Sequence, residues 1–135
     1  MEVCIKESVT KFKFPIISCE FPNFEYSLNF IIDSGSNNCI LFAHVYKHCK
    51  MCLKEQDNSM TVISVSAQEH NCAIANAEIL IGEQSFEIEF LIADGFNAAK
   101  NFFEANNEEI HGIIGSDFLS QNKFSIDFCN FKLIA

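Results

Sequence analysis

The sequence predicts an all-β fold with a few short helices, because apolar and polar residues alternate with a period of two along much of the chain. Between residues 24 and 30 every second residue is apolar, which is typical of a half-buried strand. The same alternation occurs at residues 12–16 and 86–92, and in the C-terminal segments FSIDF and FKLI. We therefore expect a mostly antiparallel sheet.

Two further segments, MTVISVS and CAIANAEILIG, also have the composition of strands. The second is separated from the next strand by the short sequence GEQ, which predicts a β-hairpin.

Three short helices are predicted from other features of the sequence. Apolar positions in residues 43–53 fall on one face of a helix of about three turns. The segment NAAKNFFEANN has apolar residues at helical spacing, and its first residue, Asn97, is a candidate cap. A third helix is expected to start near Ser116, a second candidate cap. Asp117 would then lie in the first turn, where a negative charge is favourable.

Length, composition and charge indicate one domain spanning residues 1–135. The chain has 135 residues, of which 49% are hydrophobic, and this is enough to form one packed core. It is too short for a second full domain. With a net charge of −9, the chain lacks the excess of basic residues that nucleic-acid binding requires. No segment reaches the roughly 18 apolar residues of a membrane span, and the N-terminus has no uninterrupted apolar run. We predict a soluble, cytoplasmic protein that binds neither nucleic acid nor membrane.

Seven cysteines, an odd number partly located in apolar runs, favour reduced and buried thiols over a disulfide framework. His44, His48, Cys49 and Cys52 lie close together in AHVYKHCKMC, and Cys-x-x-Cys is half of a common zinc site. The second half is absent, and both cysteines share an apolar helical face. We interpret them as buried side chains and predict neither metal nor cofactor, although a small metal site remains a weaker alternative.

The segment FIIDSGSNNCILF, residues 30–42, places Asp33 directly after a hydrophobic strand. Alone, Asp-Ser-Gly is a common turn in which Asp and Ser bond nearby amides and Gly supplies a positive φ. Here the strand stays apolar up to Asp33, and a new strand begins six residues later. Such a loop would hold the carboxylate rigidly, and Gly35 would let another backbone or a substrate approach.

A second segment, IHGIIGSDFL at residues 110–119, contains two β-branched residues, a glycine and a short capped helix. In this order and about 80 residues apart, the two segments resemble the motifs of retropepsin-like aspartic proteases. In that family a hydrophobic pair precedes D-[ST]-G-[AS], and a second hydrophobic pair precedes glycine and a helix. The second segment is most similar to that of the small stand-alone bacterial members. The resemblance implies the closed, β-barrel-like retropepsin fold.

The resemblance also implies a homodimeric aspartic endopeptidase in which Asp33 is the catalytic residue. Hydrolysis by this route needs two carboxylates that share one proton, one acting on water and the other on the peptide carbonyl. The chain has no second D-[ST]-G, and Asp94 and Asp117 lack the strand-loop context. Each chain would therefore supply one Asp33 across a two-fold axis. The alternative is a catalytically silent retropepsin-like module for peptide binding or dimerisation.

The remaining motif residues receive roles from the same resemblance. Ser34 would hydrogen-bond across the dimer axis, Gly35 would let the partner loop and the substrate approach, and Ser36 completes the active-site loop. Ile113 and Ile114 would pack beneath this loop and border a cleft that favours hydrophobic substrate side chains.

A flap, which closes the cleft in this family, is expected near residues 64–70. Its tip would include Ser66, Ala67 and Gln68, and this segment contains no glycine.

Overall fold

The computed structural model describes residues 1–63 and 69–135, which form ten strands and four α-helices. The strands are β1 (Glu2–Cys4), β2 (Ile16–Glu20), β3 (Ser27–Asp33), β4 (Cys39–Phe42), β5 (Leu53–Ile63), β6 (Glu69–Ile81), β7 (Gln84–Ala93), β8 (Gly112–Gly115), β9 (Ser125–Asp127) and β10 (Lys132–Ile134). The helices are α1 (Lys6–Phe12), α2 (Ala43–Cys49), α3 (Phe96–Asn106) and α4 (Ser116–Gln121). The predicted flap residues Ser66, Ala67 and Gln68 lie outside the described residues.

Seven strands form one sheet in the order β2-β3-β8-β4-β7-β6-β5. One residue pair, Glu20 with Leu80, also joins β2 to β6, so the sheet curls back toward itself. The pairs β3–β8 and β4–β7 are parallel and the other pairs of this sheet are antiparallel. The chain termini form a small antiparallel sheet, β1-β10-β9. The predicted all-β class, with mostly antiparallel pairing and short helices, is confirmed.

The core is packed on phenylalanine rings contributed by alternating positions of the strands. Phe30 of β3 and Phe90 of β7 are fully buried and stacked, with ring centroids 5.5 Å apart. Phe21 meets the ring of Phe90 edge-on at 6.4 Å. Such pairs add to the stabilisation that burial itself provides. The period of two therefore identified the inward faces of β3 from Leu28 and of β7 from Phe86, but β3 begins only at Ser27, and Tyr26, expected on the inward face, is 62% exposed.

The predicted hairpin is also confirmed. Strands β6 and β7 pair in register up to Ile81 and Gln84, which leaves a two-residue turn. Gly82 in this turn has φ of +62°, a conformation that favours glycine.

The strand expected at residues 12–16 is wrong at its start, because residues up to Phe12 form helix α1. Lys13 ends the helix in the left-handed conformation, with φ of 69°, and β2 begins only at Ile16. The rings of Phe12 and Phe14 both contact Phe102 of α3, at 5.0 and 6.0 Å between centroids. A run of five residues is too short to distinguish the two periods, and packing against α3 decides the outcome.

The predicted helix over residues 43–53 is shorter than expected. It is an α-helix only to Cys49, a 3-10 turn covers Lys50–Cys52, and Leu53 already begins β5.

The two predicted cap residues are also corrected. Gly95 precedes α3, and the carboxylate Oδ1 of Asp94, not Asn97, accepts a hydrogen bond from the first helical amide. Ser116 is itself the first residue of α4, after Gly115.

All seven cysteines are free, and Cys19, Cys39, Cys49 and Cys72 are buried as predicted, whereas Cys52, expected to be buried with Cys49, is only partly buried, and Cys4 and Cys129 are exposed. Burial raises the pKa of the Cys19 thiol to about 12, so it stays protonated and unreactive at neutral pH. Within residues 1–63 and 69–135 no three His, Cys, Asp or Glu side chains are grouped as a metal site. Cys49 instead donates to the carbonyl of Val45 in its own helix. No helix in the same residues is long and apolar enough to cross a membrane.

His111 joins the start of β8 to both neighbouring strands. Its backbone amide donates to Asn29 O at 2.9 Å, and its carbonyl accepts from Phe42 N at 3.0 Å. The ring nitrogen Nδ1 accepts from Asn29 N at 2.8 Å. Because Nδ1 accepts this bond, the folded protein requires the neutral imidazole.

Lowering the pH is expected to destabilise the fold partly through His111. Burial lowers the pKa of this imidazole below 6.5, against the opposing effect of Glu109. The unfolded chain therefore takes up the proton first, and stability present above about pH 6.5 is lost as the pH falls toward the lower folded-state pKa. Melting temperatures between pH 7.5 and 5 measure this effect. The His111→Asn variant keeps a hydrogen-bond acceptor for the Asn29 amide but has no imidazole to protonate. If its melting temperature fell with pH as steeply as that of the wild type, the assignment to His111 would be contradicted.

Candidate active site

Asp33 is the last residue of β3, an interior strand that lies between β2 and β8. Leu28, Phe30 and Ile32 of this strand are buried, whereas Asp33 is exposed. The side chain of Asp33 alternates with theirs and therefore lies on the opposite face. A strand fixed by its buried side thus presents a carboxylate at its end.

The loop after Asp33, residues 34–38, crosses the end of β8. This path is required because β8 lies between β3 and β4 in the sheet. Asp33 is paired with Gly115, the last residue of β8. Ser116 N then donates to Ser36 O at 2.7 Å, which fastens the loop to the start of α4. The two segments that the sequence singled out are therefore in direct contact.

Short hydrogen bonds also hold the loop internally. Gly35 N donates to Oδ1 of Asp33 at 2.9 Å, and Ser36 N donates to Asp33 O at 3.1 Å. The hydroxyl of Ser36 donates to Asn38 O at 2.8 Å. Gly35 does not have a positive φ, contrary to the ordinary turn interpretation. It is instead close to the carboxylate, since a Cβ at this position would lie 3.2 Å from Asp33 Oδ1.

Cys39 is a site residue that the motif comparison missed. Its thiol donates to Oδ1 of Asp117 at 3.3 Å, and Gly115 N donates to the same sulfur at 3.4 Å. Burial raises the pKa of Cys39 to about 12, so the thiol remains a donor. Asp117 lies in the first turn of α4, as predicted. The Cys39 thiol therefore links the start of β4 to the end of β8 beneath the loop.

The two isoleucines of β8 lie on opposite faces. Ile114 is completely buried and belongs to the core, so its contribution is packing. Ile113 is half-buried and pairs with Ile31, which lies two residues before Asp33 on the same face. Ile40 of β4 pairs with Ile113 from the other side and is also half-buried. Ile31 and Ile40 were not predicted as cleft residues, although the period of two places Ile31 beside the carboxylate.

The structure thus brings Asp33, Ser34, Gly35 and Ser36 together with Ile113 at one end of the sheet. Ser34 is exposed, and its hydroxyl makes no hydrogen bond to the residues described.

No protein-family model and no curated protein sequence matches the chain. Solved structures match it over nearly its whole length. A retropepsin-like aspartic protease from Rickettsia conorii aligns with 100% of this chain and 98% of its own, at 17% identity and a TM-score of 0.61. The retroviral protease-like domain of Ddi1 from Leishmania major aligns with 90% of this chain and 91% of its own, at 12% identity and a TM-score of 0.55.

At these identities the likeness concerns the fold. The chain has the fold of retropepsin-like aspartic proteases, and the resemblance inferred from its two motifs is confirmed at that level.

Proposed function

We propose that the protein is an aspartic endopeptidase that works as a homodimer, with Asp33 of each chain forming the catalytic pair. The observation that carries the proposal is the position of Asp33: exposed, at the end of a buried strand, with Oδ1 held by the Gly35 amide at 2.9 Å. A rigid and accessible carboxylate is what this chemistry requires from each chain.

In the proposed reaction the two Asp33 carboxyl groups share one proton. Like charges at close range cannot both ionise, so one group stays protonated while the other is a carboxylate. The carboxylate takes a proton from a water molecule, which attacks the peptide carbonyl. The protonated group donates to the carbonyl oxygen, and proton transfer to the amine then lets the carbon–nitrogen bond break.

The loop residues support this pair. Ser34, exposed beside Asp33, would hydrogen-bond across the two-fold axis and hold the two loops together. The absence of a side chain at Gly35 leaves room for the partner loop and for a substrate backbone.

Hydrophobic side chains on both sides of the scissile bond are the proposed substrate class. Ile31 and Ile113 are half-buried on the face that carries Asp33, so they would form apolar walls beside the reacting carbonyl. Burial of a substrate side chain against such walls contributes about 25 cal/mol for each Å² of apolar surface.

The cytoplasm is the proposed location. Cys4 and Cys129 are exposed free thiols, which persist most readily in a reducing compartment.

Mixing wild type with the Asp33→Asn variant tests the shared site. If subunits exchange freely in an equal mixture, about a quarter of the dimers carry two aspartates. Cleavage of a hydrophobic peptide should then fall to about a quarter of the rate of pure wild type at equal total protein. A rate near one half would mean that each chain acts alone. Mixing wild type with Asp57→Asn, an exposed position on β5, is the control and should leave the rate unchanged.

A further inference from the structure

A concave site lies at the opposite end of β3 from Asp33. This pocket, of about 640 Å³, lies between α2, α3 and the first residues of β3. Its apolar floor includes Leu28, Val45, Ala99 and Ile110. Leu28 precedes Asp33 by five strand residues, so the two are about 17 Å apart. The volume is in the range of small-molecule sites, and the pocket is separate from the proposed catalytic loop.

Aromatic side chains form the rim of this pocket. Tyr26, Phe96 and Phe103 line it and are 62%, 53% and 46% exposed. They are three of the six large hydrophobic side chains that are exposed in the described part of the chain. Exposed apolar groups gathered around a concavity mark binding sites more often than scattered ones do.

The polar groups of the pocket include several hydrogen-bond donors that a carboxylate could meet. Three of the four histidines of the chain, His44, His48 and His111, line it together with Lys100. Glu109 is the one acid in the lining, and its Oε2 lies 3.5 Å from Nε2 of His111. With neutral imidazoles the charges of Lys100 and Glu109 cancel, so this lining carries no net charge in a chain with a net charge of −9, and Lys100 is its one cationic donor.

Two of these groups are only partly engaged by the fold. His44 is held by aromatic packing, 6.0 Å from the Phe42 ring and 5.4 Å from the Phe96 ring, and its Nδ1 is buried without a hydrogen-bond partner in the described residues. Buried polar atoms without partners are rare. The ammonium of Lys100 is 4.0 Å from Glu104, the outer limit of an ion pair. The positive charge of Lys100 therefore remains beside the apolar floor, whereas the unmet hydrogen bond of His44 lies at a buried atom.

We propose that this pocket binds a small amphipathic carboxylate. The hydrocarbon or aryl body lies on the floor formed by Leu28, Val45 and Ala99, and the carboxylate faces Lys100 and His48. Binding here does not depend on Asp33 or on dimerisation.

Calorimetric titration with octanoate and with its neutral analogue octanamide tests the head group. Octanoate should bind at one site per chain, and octanamide should bind about five-fold more weakly, the difference expected for one exposed ion pair. Lys100→Gln should weaken octanoate binding to the level of octanamide and leave octanamide unchanged. Lys47→Gln, an exposed position on α2 outside the pocket, is the matched control and should have no effect. Equal affinities for both probes would overturn the proposal.

Filling the pocket tests the location. Ala99→Trp places an indole on the floor and should weaken both probes at least ten-fold, with melting curves to establish that the variant is folded. Phe103→Ala removes a rim side chain that is 46% exposed, so it is expected to fold in any case, and it should weaken both probes about three-fold or more. Unchanged octanoate affinity in a folded Ala99→Trp variant or in Phe103→Ala, or no octanoate binding to wild type, would contradict the assignment.

Discussion

Asp33→Asn is expected to reduce peptide cleavage at least about 1,000-fold and to leave the fold intact. The variant retains an oxygen that can accept the Gly35 amide, now 2.9 Å from Oδ1, and an exposed side chain contributes no core packing. It loses the titratable proton that the pair must share to activate water. Initial rates on a hydrophobic peptide measure the first effect. Thermal melting measures the second effect, and the free energy of unfolding should change by less than about 0.5 kcal/mol.

Asp117→Asn is the matched control for this experiment. Asp117 is also exposed and lies near the end of β8, and an asparagine oxygen can still accept from the Cys39 thiol. Cleavage by this variant should stay within about two-fold of wild type. If Asp117→Asn were inactive and Asp33→Asn active, the assignment of the catalytic residue would be wrong. A wild type that binds peptides without cleaving them would instead support the catalytically silent module.

The sequence predicted those parts of the fold that have a local signal. Alternation identified the buried faces of β3 and β7, and the residues between Ile81 and Gln84 identified the hairpin, because both depend on neighbours in the chain. The position of Asp33 directly after a hydrophobic strand was also a local signal. Its contact with the second segment rested on the family resemblance, since the two are about 80 residues apart.

What the sequence did not predict depends on contacts between distant segments. No local pattern shows that β8 inserts between β3 and β4, yet this insertion makes the loop cross above Gly115. The link from the Cys39 thiol to Asp117 joins residues 78 positions apart. Helix α1 was not predicted, and the strand expected at residues 12–16 included its last residue, because Phe12 packs on Phe102, which is 90 residues away. The partner chain, from which the second Asp33 is proposed to come, is a contact of the same kind.

Gly115→Ala is expected to destabilise the protein by about 2–3 kcal/mol and to lower the proposed peptide cleavage. A Cβ at this position would lie 2.5 Å from Asn38 O and 2.6 Å from Ser36 O, closer than real contacts allow. Both atoms are backbone atoms of the loop that crosses β8, so no side-chain rotation can relieve the clash. The loop must move away from β8, and the Ser116 N to Ser36 O bond would lengthen from 2.7 Å. Urea denaturation measures the loss of stability.

Gly35→Ala separates the two roles of glycine in this site. Its Cβ would meet only the Oδ1 of Asp33, at 3.2 Å. A small rotation of the carboxylate moves this oxygen by the few tenths of an ångström that the Cβ requires. We therefore expect a loss of stability below about 1 kcal/mol, well under that of Gly115→Ala, together with lower activity because the approach to Asp33 is obstructed. Equal stability losses in the two variants would contradict a loop held tightly against β8. The comparison thus tests whether Asp33 is positioned by the strand insertion or by its own turn.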